Sequence, residues 1–219
     1  MKEIRVKFGL GAVMGALLLA GCASPPPFDY TNYRQHLPRT ILVLPPLNES
    51  TAVEATYGFY SIVTRPLAEL GYYVYPVVVI DQFLKENGLP TAGEMHQVPL
   101  NKIDEIIGAD AVLYITVLQY GTKYQVINSA TIVRASARLV DVKTGLPLWE
   151  GVAAVQQNSG GSGNLIADAI VAAITQVVNS STDQAHDVSR LASYQLVRVG
   201  GRGMLYGPRH PEFGKENTK

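Results

Sequence analysis

The chain has 219 residues, 18 basic and 18 acidic, 47% hydrophobic residues and a single cysteine. The balanced charge gives no basic excess, so no nucleic-acid partner is predicted. One cysteine excludes an intramolecular disulfide, and the length suffices for one domain with a sizeable core.

The N-terminus is typical of a secretory signal. Lys2, Arg5 and Lys7 give it a basic start, and an apolar run follows over residues 8–20. That run is too short for a membrane-spanning helix and ends in Leu-Ala-Gly directly before Cys22. This order resembles the bacterial lipobox, in which the thiol receives a diacylglyceryl group and the chain is cut just before the cysteine.

We therefore predict that residues 1–21 are a signal peptide and that Cys22 carries acyl chains such as palmitate. Each buried methylene contributes ~0.8 kcal/mol, so two or more chains hold a protein firmly on a membrane. Ala23 and Ser24 follow, and in enteric bacteria an aspartate after the cysteine retains a lipoprotein in the inner membrane. Its absence predicts an outer-membrane lipoprotein that faces the periplasm. A soluble secreted protein is the alternative.

The mature chain is predicted to divide into three parts. Residues 22–38 contain three consecutive prolines, which favour a stiff extended tether. Residues 39–198 form the domain, and residues 199–219 form an irregular tail rich in glycine and proline. Strands are predicted over 40–44, 72–76, 109–126, 131–140 and 147–156. Helices are predicted over 51–70, 80–87, 100–107, 164–179 and 184–196. Pro66 should kink or split the first of these helices.

The strand patterns predict a mixed α/β fold with helices packed on a single sheet. Residues 112–118 are apolar on both alternating sets, as in a central strand that is covered on both faces. Residues 131–140 alternate, so one face of that region is predicted to be solvated. A turn over 141–145 then leads to the third run, and these three runs form an antiparallel meander. Trp149 is predicted to be buried, with Leu148 on the opposite face. The positions expected to face outward on the middle strand are Arg134, Ser136 and Arg138.

Patterns that would indicate catalysis or metal binding are not found. The four histidines have no ligand spacing, and neither a GxSxG nor an SxxK motif is present. The glycine-rich loop over residues 160–163 lacks the lysine of a phosphate-binding P-loop. We predict a protein that is not an enzyme, with no catalytic residues, cofactor or metal.

Two features leave alternatives open. The 12 tyrosines fit either core packing or a protein-binding surface. The tail has apolar and stiffening residues that are unusual for a solvated terminus, so it is predicted to fold back on its own domain or to dock on another protein. Folding back is favoured, and the candidate interaction residues are Leu205, Tyr206, Pro208, His210 and Phe213.

The lipobox, the proline spacer, the Thr-Ile-Leu-Val-Leu-Pro-Pro segment and the Leu139–Trp149 hairpin resemble lipoproteins with the TolB N-terminal-like fold, such as CsgG and LpoB. The whole mature chain, including the tail over residues 205–213, is similar to a family of Gram-negative lipoproteins of unassigned function, typified by a meningococcal antigen. The resemblance implies an α/β domain that works in envelope assembly or transport through protein contacts.

Three functions remain at this stage. The first is a non-catalytic outer-membrane lipoprotein in an envelope complex, with other envelope proteins or lipoproteins as partners and homo-oligomerisation left open. The second is a ligand-binding component on the periplasmic side of a transporter, which needs a deep apolar pocket. The third is an envelope hydrolase, which needs a carboxylate pair or a nucleophile beside a base.

Overall fold

A computed structural model describes residues 28–124, 129–158, 184–198 and 202–215. These residues form six helices and six strands. The helices are α1 (Thr31–Gln35), α2 (Ala55–Glu69), α3 (Val77–Glu86), α4 (Ala92–Met95), α5 (Leu100–Ile106) and α6 (Gln184–Val197). The strands are β1 (Thr40–Val43), β2 (Leu47–Asn48), β3 (Tyr73–Val74), β4 (Ala111–Tyr124), β5 (Ser129–Asp141) and β6 (Pro147–Asn158). The predicted helix over 164–179 lies outside the described residues.

One mixed sheet contains all six strands, in the order β3-β1-β4-β5-β6, with β2 also paired to β4. Strand β1 is parallel to both β3 and β4, whereas β4, β5 and β6 are antiparallel to one another. The mixed α/β class and the three-strand meander are therefore confirmed.

Two aspartates secure the central strand pair and the turn of the meander. The carboxylate of Asp110 accepts hydrogen bonds from the backbone N–H groups of Arg39 and Thr40, at 2.9 and 3.0 Å, and so holds the start of β1 beside β4. The carboxylate of Asp141 accepts from the N–H of Thr144 at 2.8 Å, and Gly145 has φ of +71°. A positive φ is readily adopted by glycine, which explains the predicted turn at this position.

Helices α2 and α6 cover one face of the sheet, which we call the covered face. Apolar residues of β1, β4, β5 and β6 alternate onto it and meet both helices. Its fully buried members include Ile41, Leu113, Ile115, Val133, Ala135, Leu139, Phe59, Val63, Leu67, Val188, Ala192 and Leu196. This face holds the larger of the two hydrophobic clusters among the described residues.

Trp149 is buried on the covered face, as predicted. Its side chain is 1% exposed, and its Nε1–H donates to the carbonyl oxygen of Arg202 at 2.8 Å. Leu148 joins the same cluster rather than the opposite face. The pairing explains this difference, because Leu139 lies opposite Trp149 and Val140 lies opposite Pro147, so Leu148 occupies a bulge.

The other face, which we call the open face, is covered over only part of its area. Helices α3, α4 and α5 pack over β1 and the first residues of β4, around Leu42, Leu44 and Val112. Farther along the meander this face carries Thr116, Ser136, Arg138, Glu150 and Val152, which are half-buried or exposed. The prediction of one solvated face is confirmed there, and the prediction that residues 112–118 are covered on both faces holds only for their first part.

The segment predicted to be a tether contributes to the core. Residues 31–35 form α1, whose Tyr33 is fully buried, and the Tyr33 and Tyr72 hydroxyls are hydrogen bonded at 2.8 Å. Phe28 and Tyr30 also pack against the covered-face cluster. The described part of this segment, residues 28–38, therefore packs with the domain instead of extending away from it.

The helices differ from the prediction in several places, and α2 starts at Ala55 rather than at residue 51. Pro66 does not split α2, which runs through it to Glu69. Helix α3 begins at Val77, three residues before the predicted start. Helix α4 was not predicted, although Thr91 and Glu94 form the reciprocal hydrogen bonds of a capping box at its N-terminus. Within the described residues, no helix combines the length and the apolar character needed to cross a bilayer.

Candidate interaction surfaces

The first part of the C-terminal tail folds back against the domain. Leu205 is 7% exposed, and its carbonyl oxygen accepts a hydrogen bond from the Tyr72 hydroxyl at 2.5 Å. The N–H of Gly207 donates to the carbonyl of Leu70 at 2.7 Å, and that of Arg209 donates to the carbonyl of Gly71 at 3.1 Å. These contacts agree with the self-covering alternative for this part of the tail.

Two glycines allow the tail to approach this closely. Gly71 has φ of +89°, and a Cβ atom there would lie 2.4 Å from the backbone nitrogen of His210. A Cβ atom on Gly207 would lie 2.7 Å from the carbonyl carbon and oxygen of Gly71. Any larger residue would push the tail away from the turn between α2 and β3.

The remaining predicted tail residues lie nearer the surface. The rings of Tyr206 and His210 stack with their centroids 3.8 Å apart, and both side chains are half-buried. Pro208 is exposed, and Phe213 is 41% exposed. The candidate tail thus divides into a buried anchor at Leu205 and an exposed end.

Beside the tail lies a surface that we call the β3-edge surface, formed by Tyr73, Val74, Val78, Val79 and Arg209. Val78 is 75% exposed and Val79 is 62% exposed. The Arg209 guanidinium lies 5.4 Å from the centre of the Tyr73 ring, and the rings of Tyr73 and Tyr75 meet edge to face at 5.3 Å. A groove of about 560 Å³ runs along this surface.

The groove has walls from four parts of the chain. Its residues come from α2, from β3 with the start of α3, and from the tail: Thr64, Arg65, Ala68, Tyr72, Tyr73, Val74, Tyr75, Pro76, Val77, Val78 and Arg209. No carboxylate is among the described residues that line it. Arg65 is ion-paired with Glu69 at 2.9 Å, whereas Arg209 has no ion pair within the described part of the chain.

A second depression, of about 820 Å³, lies at the uncovered part of the meander. Arg138 lies over the ring of Tyr114 at 5.8 Å, and His96 meets the same ring edge to face at 5.3 Å. Glu150 is the cross-strand neighbour of Arg138 on β6. The depression is open and has both charged and apolar walls, so it differs from the deep apolar pocket that a small-molecule site needs.

His96 is held in place by a backbone contact. Its Nε2 atom lies 2.9 Å from the carbonyl oxygen of Pro45, which fixes Nε2–H as the donor in the neutral ring. Burial lowers the pKa of His96 below its ordinary value, and the hydrogen bond to Pro45 opposes that shift. The neutral imidazole therefore links α4 to the segment after β1.

The tyrosines divide between the core and the surface of the domain. Burial raises the pKa of Tyr60, whose hydroxyl lies within hydrogen-bond distance of the carbonyls of Val43 and Val77 at 3.0 and 3.1 Å. Tyr60 therefore ties α2 to β1 and α3. Tyr57 is 50% exposed, and its hydroxyl accepts a hydrogen bond from Lys85 at 2.9 Å.

The structure does not bring the remaining candidate chemistry together. Among the described residues, no group of three or more histidine, cysteine, aspartate or glutamate side chains is arranged to hold a metal ion. The half-buried Asp81 carboxylate is paired with Lys85 at 2.7 Å. Cys22 and the glycine-rich loop over residues 160–163 lie outside the described residues.

Residues 28–209 match the family described as "Putative lipoprotein GNA1162-like". The chain belongs to this GNA1162-like lipoprotein family. The family resemblance inferred from the sequence is thereby confirmed. The match extends from Phe28, at the start of the described fold, to Arg209 on the β3-edge surface.

A relative and a solved structure from Neisseria meningitidis support this membership. The GNA1162-like chain is 44% identical over 206 residues to "Putative lipoprotein NMB1124/NMB1162" of Neisseria meningitidis serogroup B (strain ATCC BAA-335 / MC58), covering 93% of this chain and 95% of the relative. It is similar to the crystal structure of lipoprotein GNA1162 from Neisseria meningitidis, with a TM-score of 0.56, 44% identity, and coverage of 66% of this chain and 100% of the other. A more distant likeness is to the PelC dodecamer from Paraburkholderia phytofirmans, with 14% identity, a TM-score of 0.44, and coverage of 80% of this chain and 92% of the other.

Sequence reasoning predicted the tail but not the groove beside it. With the start of α3 predicted at Ile80, Val78 and Val79 fell outside any element, and nothing indicated that they would be exposed side by side. Pro76 could have indicated the earlier helix start, because proline is favoured near the first turn of a helix. It is the N-cap residue of α3.

Proposed function

We propose that this protein is a non-catalytic, lipid-anchored outer-membrane lipoprotein that acts through protein contacts in a cell-envelope assembly or transport complex. Membership of a lipoprotein family supports the anchor, and the lipobox pattern before Cys22 supports lipidation at that residue. The periplasm is the compartment that the domain faces in this proposal.

The observation that carries the proposal is the β3-edge surface. Tyr73 and Val78 are exposed apolar residues that line the groove, and the exposed Val79 follows Val78 in α3. Single exposed apolar residues are common, but contiguous ones beside a groove are typical of protein-binding sites. An arginine stacked on a tyrosine at the same place adds the two residue types that most often dominate binding energy.

Photo-crosslinking in living cells tests this function. The full-length lipidated protein carries a photoreactive phenylalanine analogue at Val78 or, as the matched control, at Ile106, which is a similarly exposed aliphatic residue on α5. We expect discrete adducts with envelope proteins from Val78 and none from Ile106. Equal patterns from both positions would contradict the proposal, and so would a lack of adducts from every exposed position tested, including Val152 on the open face.

The anchor is tested separately. Cys22→Ser should leave the protein unprocessed and absent from the outer-membrane fraction, because no thiol remains to receive the diacylglyceryl group. Mass spectrometry of the mature N-terminus checks the processing. An unmodified N-terminus at another residue would overturn this part of the proposal, and so would co-fractionation of the wild-type protein with inner-membrane markers.

A further inference from the structure

Strand β3 has unpaired backbone groups on its outer side. The N–H groups of Tyr73 and Tyr75 donate to the carbonyl oxygens of Arg39 and Ile41 in the β1 region, at 3.0 and 3.2 Å. Backbone groups of successive residues in a strand point to opposite sides, so the N–H and C=O of Val74 point away from β1. Among the described residues β3 pairs with β1 alone, which leaves these two groups of Val74 free for another strand.

The flanks of this edge favour an extended chain. Val74 packs its side chain on the covered face, while Tyr75 packs on the other side of the sheet. Thr64 and Ala68 of α2 and Val78 of α3 line the groove. An added strand would bond to Val74 and place alternate side chains against this partly apolar lining, as in other strand-addition complexes.

The charged residues of the groove favour a strand that carries a carboxylate. Arg209 lies over the Tyr73 ring and has no ion pair among the described residues, while Glu69 neutralises Arg65. Since the described lining of the groove contains no carboxylate, the net charge of that lining is positive. A guanidinium with unused donors is best satisfied by a carboxylate, which it can bind through two hydrogen bonds.

We propose that an extended, acidic segment of a partner protein adds to the sheet at Val74 and places an aspartate or glutamate side chain on Arg209. This inference rests on the proposed function, because it names how one protein contact is made. The partner's backbone bonds to Val74 provide affinity, and the carboxylate on Arg209 provides selectivity for acidic sequences.

Selection from a random decapeptide phage library tests the charge preference. The bait is the detergent-solubilised lipidated protein as wild type, as Arg209→Glu, and as Arg138→Glu. Arg138 is the matched control, because it is an exposed arginine that also lies over a tyrosine ring but on the open face. We expect wild type and Arg138→Glu to enrich peptides with an acidic residue among β-branched ones, and Arg209→Glu to enrich basic peptides. Equal charge preference in wild type and Arg209→Glu would overturn the inference, as would no enrichment by wild type.

Hydrogen exchange then locates the bound peptide. The most enriched peptide, amidated at its C-terminus, should slow exchange of the Val74 amide while Tyr73 and Tyr75 keep their existing protection. Because the C-terminal amide replaces the terminal carboxylate of the peptide, binding that is retained must come from an acidic side chain. Arg209→Gln should weaken binding by about tenfold or more, since hydrogen bonds to charged groups contribute on that order. Protection that appears on the open face instead of at Val74 would overturn the inference.

The two proposals fail in different ways. If Val78 adducts persist in Arg209→Glu cells, the protein-contact function stands and the acidic-strand inference is overturned. If the adducts are lost in Arg209→Glu but kept in Arg138→Glu, both are supported. If no exposed position yields adducts in cells, the proposed function fails, whatever peptides bind to the isolated protein.

Discussion

The two faces of the sheet differ in how completely their residues are buried. On the covered face, α2 and α6 bury β-strand residues along the length of the meander, together with Trp149 and Leu205. On the open face, α3, α4 and α5 stop over β4 and leave Ser136, Arg138 and Val152 facing solvent. Substitutions on the covered face must therefore be accommodated by packed neighbours, whereas the solvent-facing part of the open face can change with little cost in stability.

The largest expected difference is within β6. Trp149→Ala should lower the free energy of unfolding by roughly 3–5 kcal/mol, because it leaves a large cavity under α6 and removes the bond to Arg202. Urea denaturation of the mature chain measures this loss. The control is Val152→Ala, three residues along the same strand and 54% exposed, which should change stability by less than about 0.5 kcal/mol. Similar losses for both variants would show that the faces do not differ.

The tail offers a second comparison between buried and exposed positions. Leu205→Ala should cost about 2 kcal/mol, at the low end for buried leucines because the side chain lies near the surface. Phe213→Ala, at a position that is 41% exposed, should be nearly neutral. Because the tail packs on its own domain, the loss from Leu205→Ala should be the same at every protein concentration. A loss that disappears on dilution would instead indicate docking between copies.

The stability of the domain should depend on pH through His96. Burial holds the pKa of folded His96 below the unfolded value of about 6.5, so the unfolded chain binds a proton first as the pH falls. Stability should be constant above that pH and decrease as the pH falls from there towards the folded-state pKa. Urea denaturation between about pH 5 and about pH 8 measures the slope across that window. His96→Gln should reduce this slope. Parallel curves of stability against pH for wild type and variant would refute the assignment to His96.

The smallest effect is expected for the charged residues of the open face. Arg138→Ala should reduce stability by less than about 1 kcal/mol, because it removes one exposed cation–π contact with Tyr114. Ser136→Ala on the same strand should be closer to neutral. Thermal denaturation of the two variants beside wild type checks this. A loss approaching that of Trp149→Ala would mean that the open face is covered in the intact protein.

Much of the covered face could be predicted from local pattern. Alternation over residues 131–140 gave the correct inward and outward positions on β5, and the turn at Gly145 fixed the hairpin that buries Trp149. Of the candidate interaction site, the sequence located the tail. It did not show that Leu205 would be an anchor and Phe213 exposed, because both are large apolar residues in the same irregular segment.

The sequence by itself determined the lipobox pattern, the mixed α/β class, the three-strand meander and the apolar face of β5, because these depend on patterns within one segment or between neighbouring segments. The tertiary structure decided the short elements α1, β2 and α4, the bulge at Leu148, and the meeting of Tyr73, Val78 and Arg209. Short segments contain too few residues for a repeating pattern, so their conformation is set by the surfaces against which they pack. The groove at β3 joins residues from α2, β3, α3 and the tail that are distant in the chain, and only the packing of those elements places them together.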